Sequence, residues 1–92
     1  MNERIIFQMI LSIIESGGYI IKTNHARIRM KERGISDDDV FEILQNPSHI
    51  YKDQKSVDHD EKYNYRVVGK HEWSVVVSVH YPTKLIIVTV ID

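Results

Sequence analysis

Three side chains able to act on a phosphate recur every fourth residue in one short segment. His25, Arg29 and Arg33 lie along one side of the helix that the sequence predicts from Thr23 or Asn24 to Arg33. Histidine transfers protons near neutral pH because its ordinary pKa is about 6.5, and arginine can hold a phosphate through two hydrogen bonds. The spacing favours phosphate chemistry, but it is also common by chance, and exposed charge often serves only solubility.

The same segment is strongly basic. Residues 22–33 contain five basic residues and one acid, a local charge of +4, whereas three aspartates and one glutamate give −4 within residues 37–42. A helix of this charge can bind the phosphate backbone of RNA. The structural alternative is that Lys31 and Arg33 form ion pairs with the acidic segment. The residues predicted to bind RNA are Lys22, Arg27, Lys31 and Arg33.

A predicted sheet in the second half of the chain could complete such a site. The strand Trp73–Tyr81 alternates between two faces, and His80 belongs to the face opposite the apolar one. Arg66 lies on the preceding strand and shares a face with His80 if Tyr65 and Val67 join the core. That condition depends on the strand register, which the sequence leaves open.

RNA carries its own nucleophile, the 2′-hydroxyl, so its cleavage requires only a base, an acid and cations. We therefore predict a site without metal or cofactor, whose catalytic residues are His25, Arg29, Arg66 and His80. Tyrosines that could stack on bases are Tyr51, Tyr63 and Tyr65. The alternatives are a hydrogen-bonded structural role for His80 and an ion pair from Arg66 to Glu61 or Glu72.

Composition excludes several other classes of protein. The 92 residues are 42% hydrophobic and 27% charged, with a net charge of −1 and no cysteine, which excludes disulfide scaffolds and thiolate metal sites. An Asp58-His59-Asp60 run could ligate a metal, but neighbouring loop residues seldom converge on one ion. The apolar stretch Ile5–Ile14 is too short to span a bilayer. We expect a single cytoplasmic domain, residues 1–92, without a membrane segment.

Hydrophobic periodicity predicts an α+β fold. Residues 3–16 have helical spacing, Gly17-Gly18 ends that helix, and Tyr19–Lys22 is expected to be an extended connector. Helices follow before Gly34 and from Ser36 to Asn46, and the pattern then changes to alternation. We expect two or three N-terminal helices packed on one face of a four-stranded antiparallel β-meander. The predicted strands are His49–Lys52, Tyr63–Val68, Trp73–Tyr81 and Leu85–Ile91.

The segment His-Ala-Arg-Ile-Arg-Met-Lys-Glu-Arg-Gly-Ile-Ser, from His25 to Ser36, resembles the signature of the bacterial domain-of-unknown-function family 4258. Its members carry a His-Ala-x-x-Arg-Met-x-x-Arg-Gly-Ile pattern, an acidic helix start and a β-meander. The resemblance implies the RelE/barnase-like fold group of small ribonucleases and toxins, and with it an endoribonuclease resembling mRNA interferases and an antitoxin partner. The polar stretch Asp53–Glu61 departs from the family by being longer and more acidic.

The first helix suggests a different class of function. It carries more apolar surface than one helix face needs, which would suit a non-catalytic module that binds RNA or protein, either as a homodimer through this helix or in a complex. The alternative is that one domain covers both sides of the helix. The residues concerned are Ile5, Ile6, Phe7, Ile10, Leu11 and Ile14.

Overall fold

The computed structural model describes residues 2–53, 64–71 and 73–91. The elements within these ranges are α1 (Glu3–Glu15), β1 (Tyr19–Lys22), α2 (Asn24–Arg33), α3 (Asp37–Gln45), β2 (His49–Lys52), β3 (Asn64–Val68), β4 (Ser74–His80) and β5 (Lys84–Ile91). The α+β class is confirmed, as are three helices preceding a meander of β2 to β5. Four features of the sequence analysis lie outside these residues: Asp58-His59-Asp60, Glu61, Tyr63 and Glu72.

The sheet has five strands in the order β1-β5-β4-β3-β2, and β1 pairs with β5 in parallel. The expectation of four antiparallel strands with a connector at Tyr19–Lys22 was therefore wrong. The Tyr19 N–H donates to the Thr83 carbonyl at 2.9 Å, which starts the parallel pairing. A run of four residues is too short to show a hydrophobic period that distinguishes a strand from a connector. Its partner strand also lies more than sixty residues away in the chain, so the local sequence does not indicate the pairing.

Capping residues fix α2 against the sheet. Thr23 Oγ1 accepts a hydrogen bond from the Ala26 N–H at 3.0 Å and donates one to the Val88 carbonyl at 2.8 Å. The helix ends at Gly34, whose φ of 69° is left-handed and therefore favours glycine. The cap thus ties the start of α2 to the second half of β5.

The core lies between the three helices and one face of the sheet. It includes Ile6, Ile10 and Ile13 of α1, Ala26 and Met30 of α2, Val40, Ile43 and Leu44 of α3, and Val67, Val75, Val77, Val79, Leu85, Ile87 and Val90 of the sheet. Tyr65 packs partly against this core. The condition that would place Arg66 and His80 on the opposite face is therefore met.

Candidate functional site

The face of the sheet opposite the helices, here called the outer face, carries the predicted sheet residues. Paired residues on neighbouring strands project to the same side. The pairings Asn64–Ser78, Arg66–Val76 and Val68–Ser74 join β3 to β4, and β2 adds Tyr51 beside Arg66. The outer face comprises His49, Tyr51, Asp53, Asn64, Arg66, Val68, Ser74, Val76, Ser78, His80, Lys84, Ile86, Thr89 and Ile91.

Polar residues are buried on this face and not on the other. Within the described ranges, the buried polar or charged residues are Asp53, Asn64, Ser74 and Ser78, exposed by 8% or less. A buried polar group is costly unless it has a hydrogen-bond partner. Two side-chain pairs meet that requirement for the serines: Arg66 Nε donates to Ser74 Oγ at 3.0 Å, and Ser78 Oγ lies 2.8 Å from His80 Nε2.

The two pairs lie at opposite ends of the outer face. Arg66 is level with Val76, and His80 lies four residues further along the same strand, about 13 Å away. The Arg66 side chain also turns towards Ser74, which is the direction away from His80. The structure therefore places both predicted residues on one face but not at one phosphate.

The end that holds His80 combines a hydroxyl, an imidazole and an ammonium. Lys84 is the residue of β5 paired with His80, and Asn64 is the residue of β3 paired with Ser78. Both His80 and Lys84 are half-buried, whereas Ser78 and Asn64 are buried. The His80 ring thus contacts the buried Ser78 hydroxyl, and the cationic Lys84 is its neighbour on β5.

The end that holds Arg66 contains a histidine to which the sequence analysis gave no role. His49 pairs with Val68, one position beyond Arg66 on the same face, and Tyr51 pairs with Arg66 itself. Both side chains of β2 are exposed. The alternation of side chains along β2 could have identified His49, because it places His49 on the same face as Tyr51.

The predicted stripe on α2 lies away from His80. Thr23, just before α2, is level with Val88, which lies about 13 Å along β5 from Lys84, the partner of His80. His25 is exposed. The Nε atom of Arg29 is shielded from solvent and has no hydrogen-bond partner among the described residues. Ala26 and Met30 of α2 belong to the core on the helix side of the sheet, so the predicted stripe does not join the His80 end of the outer face.

The other basic residues of α2, and Lys22 in the strand before it, do not share one side of the helix. Arg27 and Lys31 are exposed, and Arg33 is half-buried. Lys22 forms an ion pair with the acidic start of α3, and its Nζ lies 2.7 Å from Asp37 Oδ1. Because both side chains are partly exposed, this pair contributes little to stability and leaves most of the basic charge on the surface.

Over residues 2–53, 64–71 and 73–91, no three His, Asp or Glu side chains gather closely enough to hold a metal ion. None of the helices in those ranges is both long and apolar enough to cross a membrane.

These features define an α+β domain whose sheet has an apolar helix-covered face and a polar outer face. Residues 22–92 match the family model described as "Domain of unknown function (DUF4258)", and the chain belongs to that family. No curated protein and no solved structure matches the chain.

Proposed function

We propose that the protein is a small cytoplasmic, metal-independent endoribonuclease of the toxin type, and that it cleaves RNA at the Ser78–His80 end of the outer face. The observation that carries the proposal is the 2.8 Å contact between a buried hydroxyl and a histidine ring. Such a contact fixes the ring's orientation, which a general base requires. The helical signature resembles that of family 4258, and the fold group of small ribonucleases and toxins that this resemblance implies gives further support.

In the proposed reaction, His80 removes the proton of the 2′-hydroxyl. A neutral imidazole carries one nitrogen lone pair that can accept this proton. The 2′-oxygen then forms a bond to phosphorus as the bond to the 5′-oxygen breaks. Lys84 offsets the developing charge and gives a proton to the leaving oxygen. The products are a 2′,3′-cyclic phosphate and a 5′-hydroxyl, and water restores both protonation states.

In this proposal Arg66 binds the RNA strand at a distance from the reacting phosphate, and the cations of α2 add to the basic surface that attracts RNA. Arg66 is already held by Ser74, so its remaining guanidinium donors can meet a phosphate with little loss of side-chain entropy. Tyr51 is paired with Arg66 and half exposed, which suits stacking on a base. His25, Arg29 and the RNA-binding set of α2 thus contribute to affinity rather than to proton transfer.

The deciding experiment incubates purified protein with a single-stranded RNA in EDTA and analyses the ends of the products. We expect 2′,3′-cyclic phosphate ends from the natural protein and none from His80→Ala prepared in the same way. The variant also controls for contaminating ribonuclease, because a contaminant would cleave in both samples. Equal cleavage by both proteins, or intact RNA in both, would show the proposed site to be wrong.

A second candidate, a non-catalytic binding module, is favoured by one surface of α1. A groove of about 520 Å³ between α1 and the turn after β4 is lined by Ile5, Met9 and Tyr81 among others, and Ile5 and Tyr81 are about half exposed. It could receive a second copy of the chain or an antitoxin protein. Much of the apolar surface expected to dimerise is instead covered, since Ile6 and Ile10 are buried in the core.

Deleting α1 cannot test this module, because three of its isoleucines belong to the core. Ile5→Glu keeps those contacts and places a charge in the groove. If the groove holds a second copy, size-exclusion chromatography should show a dimer that the variant converts to monomer. A natural protein that elutes as a monomer at every concentration would remove the homodimer from this alternative.

A further inference from the structure

A cavity on the helix side of the sheet has no part in the site described above. Its volume is about 400 Å³, and it lies between the end of α2, the helix α3 and the turn from β3 to β4. Its apolar wall is formed by Ile35, Ile43 and Trp73; the two isoleucines are buried and Trp73 is half-buried. Gly69 also lines it, and a Cβ atom there would lie 3.0 Å from Ile43 Cγ1. The cavity thus offers an aromatic surface beside two isoleucine side chains.

The charges of the described residues around this cavity balance. Among those residues Arg33 and Lys70 are cationic and Asp39 and Glu42 are anionic, so these four charges cancel, and His71 also lies on the rim. A phosphate would need a net positive rim. A balanced rim beside an indole instead suits an uncharged, planar ligand that both donates and accepts hydrogen bonds.

One of the two carboxylates is suited to meet that ligand. Asp39 Oδ2 accepts from the Ser36 N–H at 2.9 Å and is thereby committed to the start of α3. Within the part of the chain that the structure describes, Glu42 makes one long side-chain hydrogen bond, 3.3 Å from Asn46 Nδ2 to its Oε2. A carboxylate has about four acceptor positions, so Glu42 retains the capacity to accept N–H groups from a ligand.

We propose that this cavity binds a nucleobase that carries an exocyclic amino group. The ring stacks on Trp73, and its amino group donates to Glu42. The identity of the ligand rests on the proposed ribonuclease function, in which the base belongs to the RNA substrate. Amino-bearing bases are adenine, guanine and cytosine, and uracil lacks the group.

Tryptophan fluorescence tests the proposal directly, because Trp73 is the only tryptophan in the chain. The full-length protein is titrated with cytidine and with uridine, which are pyrimidine nucleosides of nearly equal size. We expect saturable quenching by cytidine and weaker binding of uridine. Glu42→Gln should reduce the preference for cytidine by about tenfold, the contribution of a hydrogen bond to a charged group. The matched control, Glu32→Gln, removes an exposed carboxylate of α2 outside the cavity and should keep the preference.

This measurement is separate from the cleavage assay. If cytidine binds with the expected dependence on Glu42 but RNA stays intact, the cavity stands and the catalytic proposal fails. If RNA is cleaved but neither nucleoside changes the emission of Trp73 saturably, the cavity proposal is overturned and the catalytic one stands. Equal binding of cytidine and uridine by the natural protein would also overturn it, whether or not Glu42→Gln folds.

Discussion

The two faces of β4 are buried to nearly the same degree but carry different chemistry. Val75 and Val77, which face the helices, are fully buried, and Ser74 and Ser78 on the outer face are 2% exposed. Burial alone therefore does not select apolar residues in this strand. Replacing a buried hydrogen-bonded pair by apolar groups of similar shape is often neutral or stabilising. The serines are thus better explained by the Arg66 and His80 side chains that they hold than by stability.

Replacing His80 by alanine is the strongest test of this difference between the two faces of β4. His80→Ala should lower the rate of RNA cleavage by roughly 10²–10⁴-fold, which is the usual contribution of a proton-transfer group. The free energy of unfolding should fall by only about 1–3 kcal/mol, because the buried Ser78 hydroxyl loses its hydrogen-bond partner. Single-turnover kinetics and thermal unfolding measure the two effects separately. A variant with full activity per folded molecule would assign His80 a structural role.

The opposite result is expected for a residue on the helix face. Leu85 is fully buried in the core next to the paired residues His80 and Lys84. Leu85→Ala should lower the free energy of unfolding by about 2–5 kcal/mol through lost burial and the cavity that remains. Urea denaturation measures this loss. Cleavage per folded molecule should be nearly unchanged, and a large loss there would mean that the two faces are not independent.

The serines of the outer face should differ from each other. Ser78→Ala and Ser74→Ala should each cost roughly 1 kcal/mol of stability for one lost hydrogen bond. Ser78→Ala should in addition lower kcat, since it frees the His80 ring, whereas Ser74→Ala should raise KM, since it frees the phosphate-binding Arg66. Steady-state kinetics of the two variants resolve this difference. Matching effects on kcat and KM would contradict the division of the face into two ends.

The sequence predicted most of the fold because its signals are local. Thr23 and Gly34 mark the ends of α2, and the alternation after Pro47 marks the strands of the meander. The pairing of β1 with β5 is not local, and a four-residue strand carries no period of its own. For this reason an N-terminal strand was missed, while the class of fold was right.

The site was predicted less completely than the fold. Alternation placed Arg66 and His80 on one face once Val67 was known to be buried. The distance between Arg66 and His80 along the face depends on the strand register. That register is defined by the pairing of Arg66 with Val76, and no local sequence pattern reveals this pairing. The same limit applies to His25, whose distance from His80 follows from the contact of Thr23 with Val88.

The smallest expected effect concerns α2, where His25 and Arg29 were first predicted to be catalytic. Their separation from His80 changes that expectation: Arg29→Ala should weaken RNA binding by several-fold and lower the slope of log affinity against log salt by about one, while kcat stays the same. Arg27→Ala, on another side of the helix, is the matched variant. If α2 binds the backbone only through its general charge, the two slopes should fall equally. If instead Arg29→Ala alone lowers kcat, the reacting phosphate lies beside α2 and the proposed centre at His80 is misplaced.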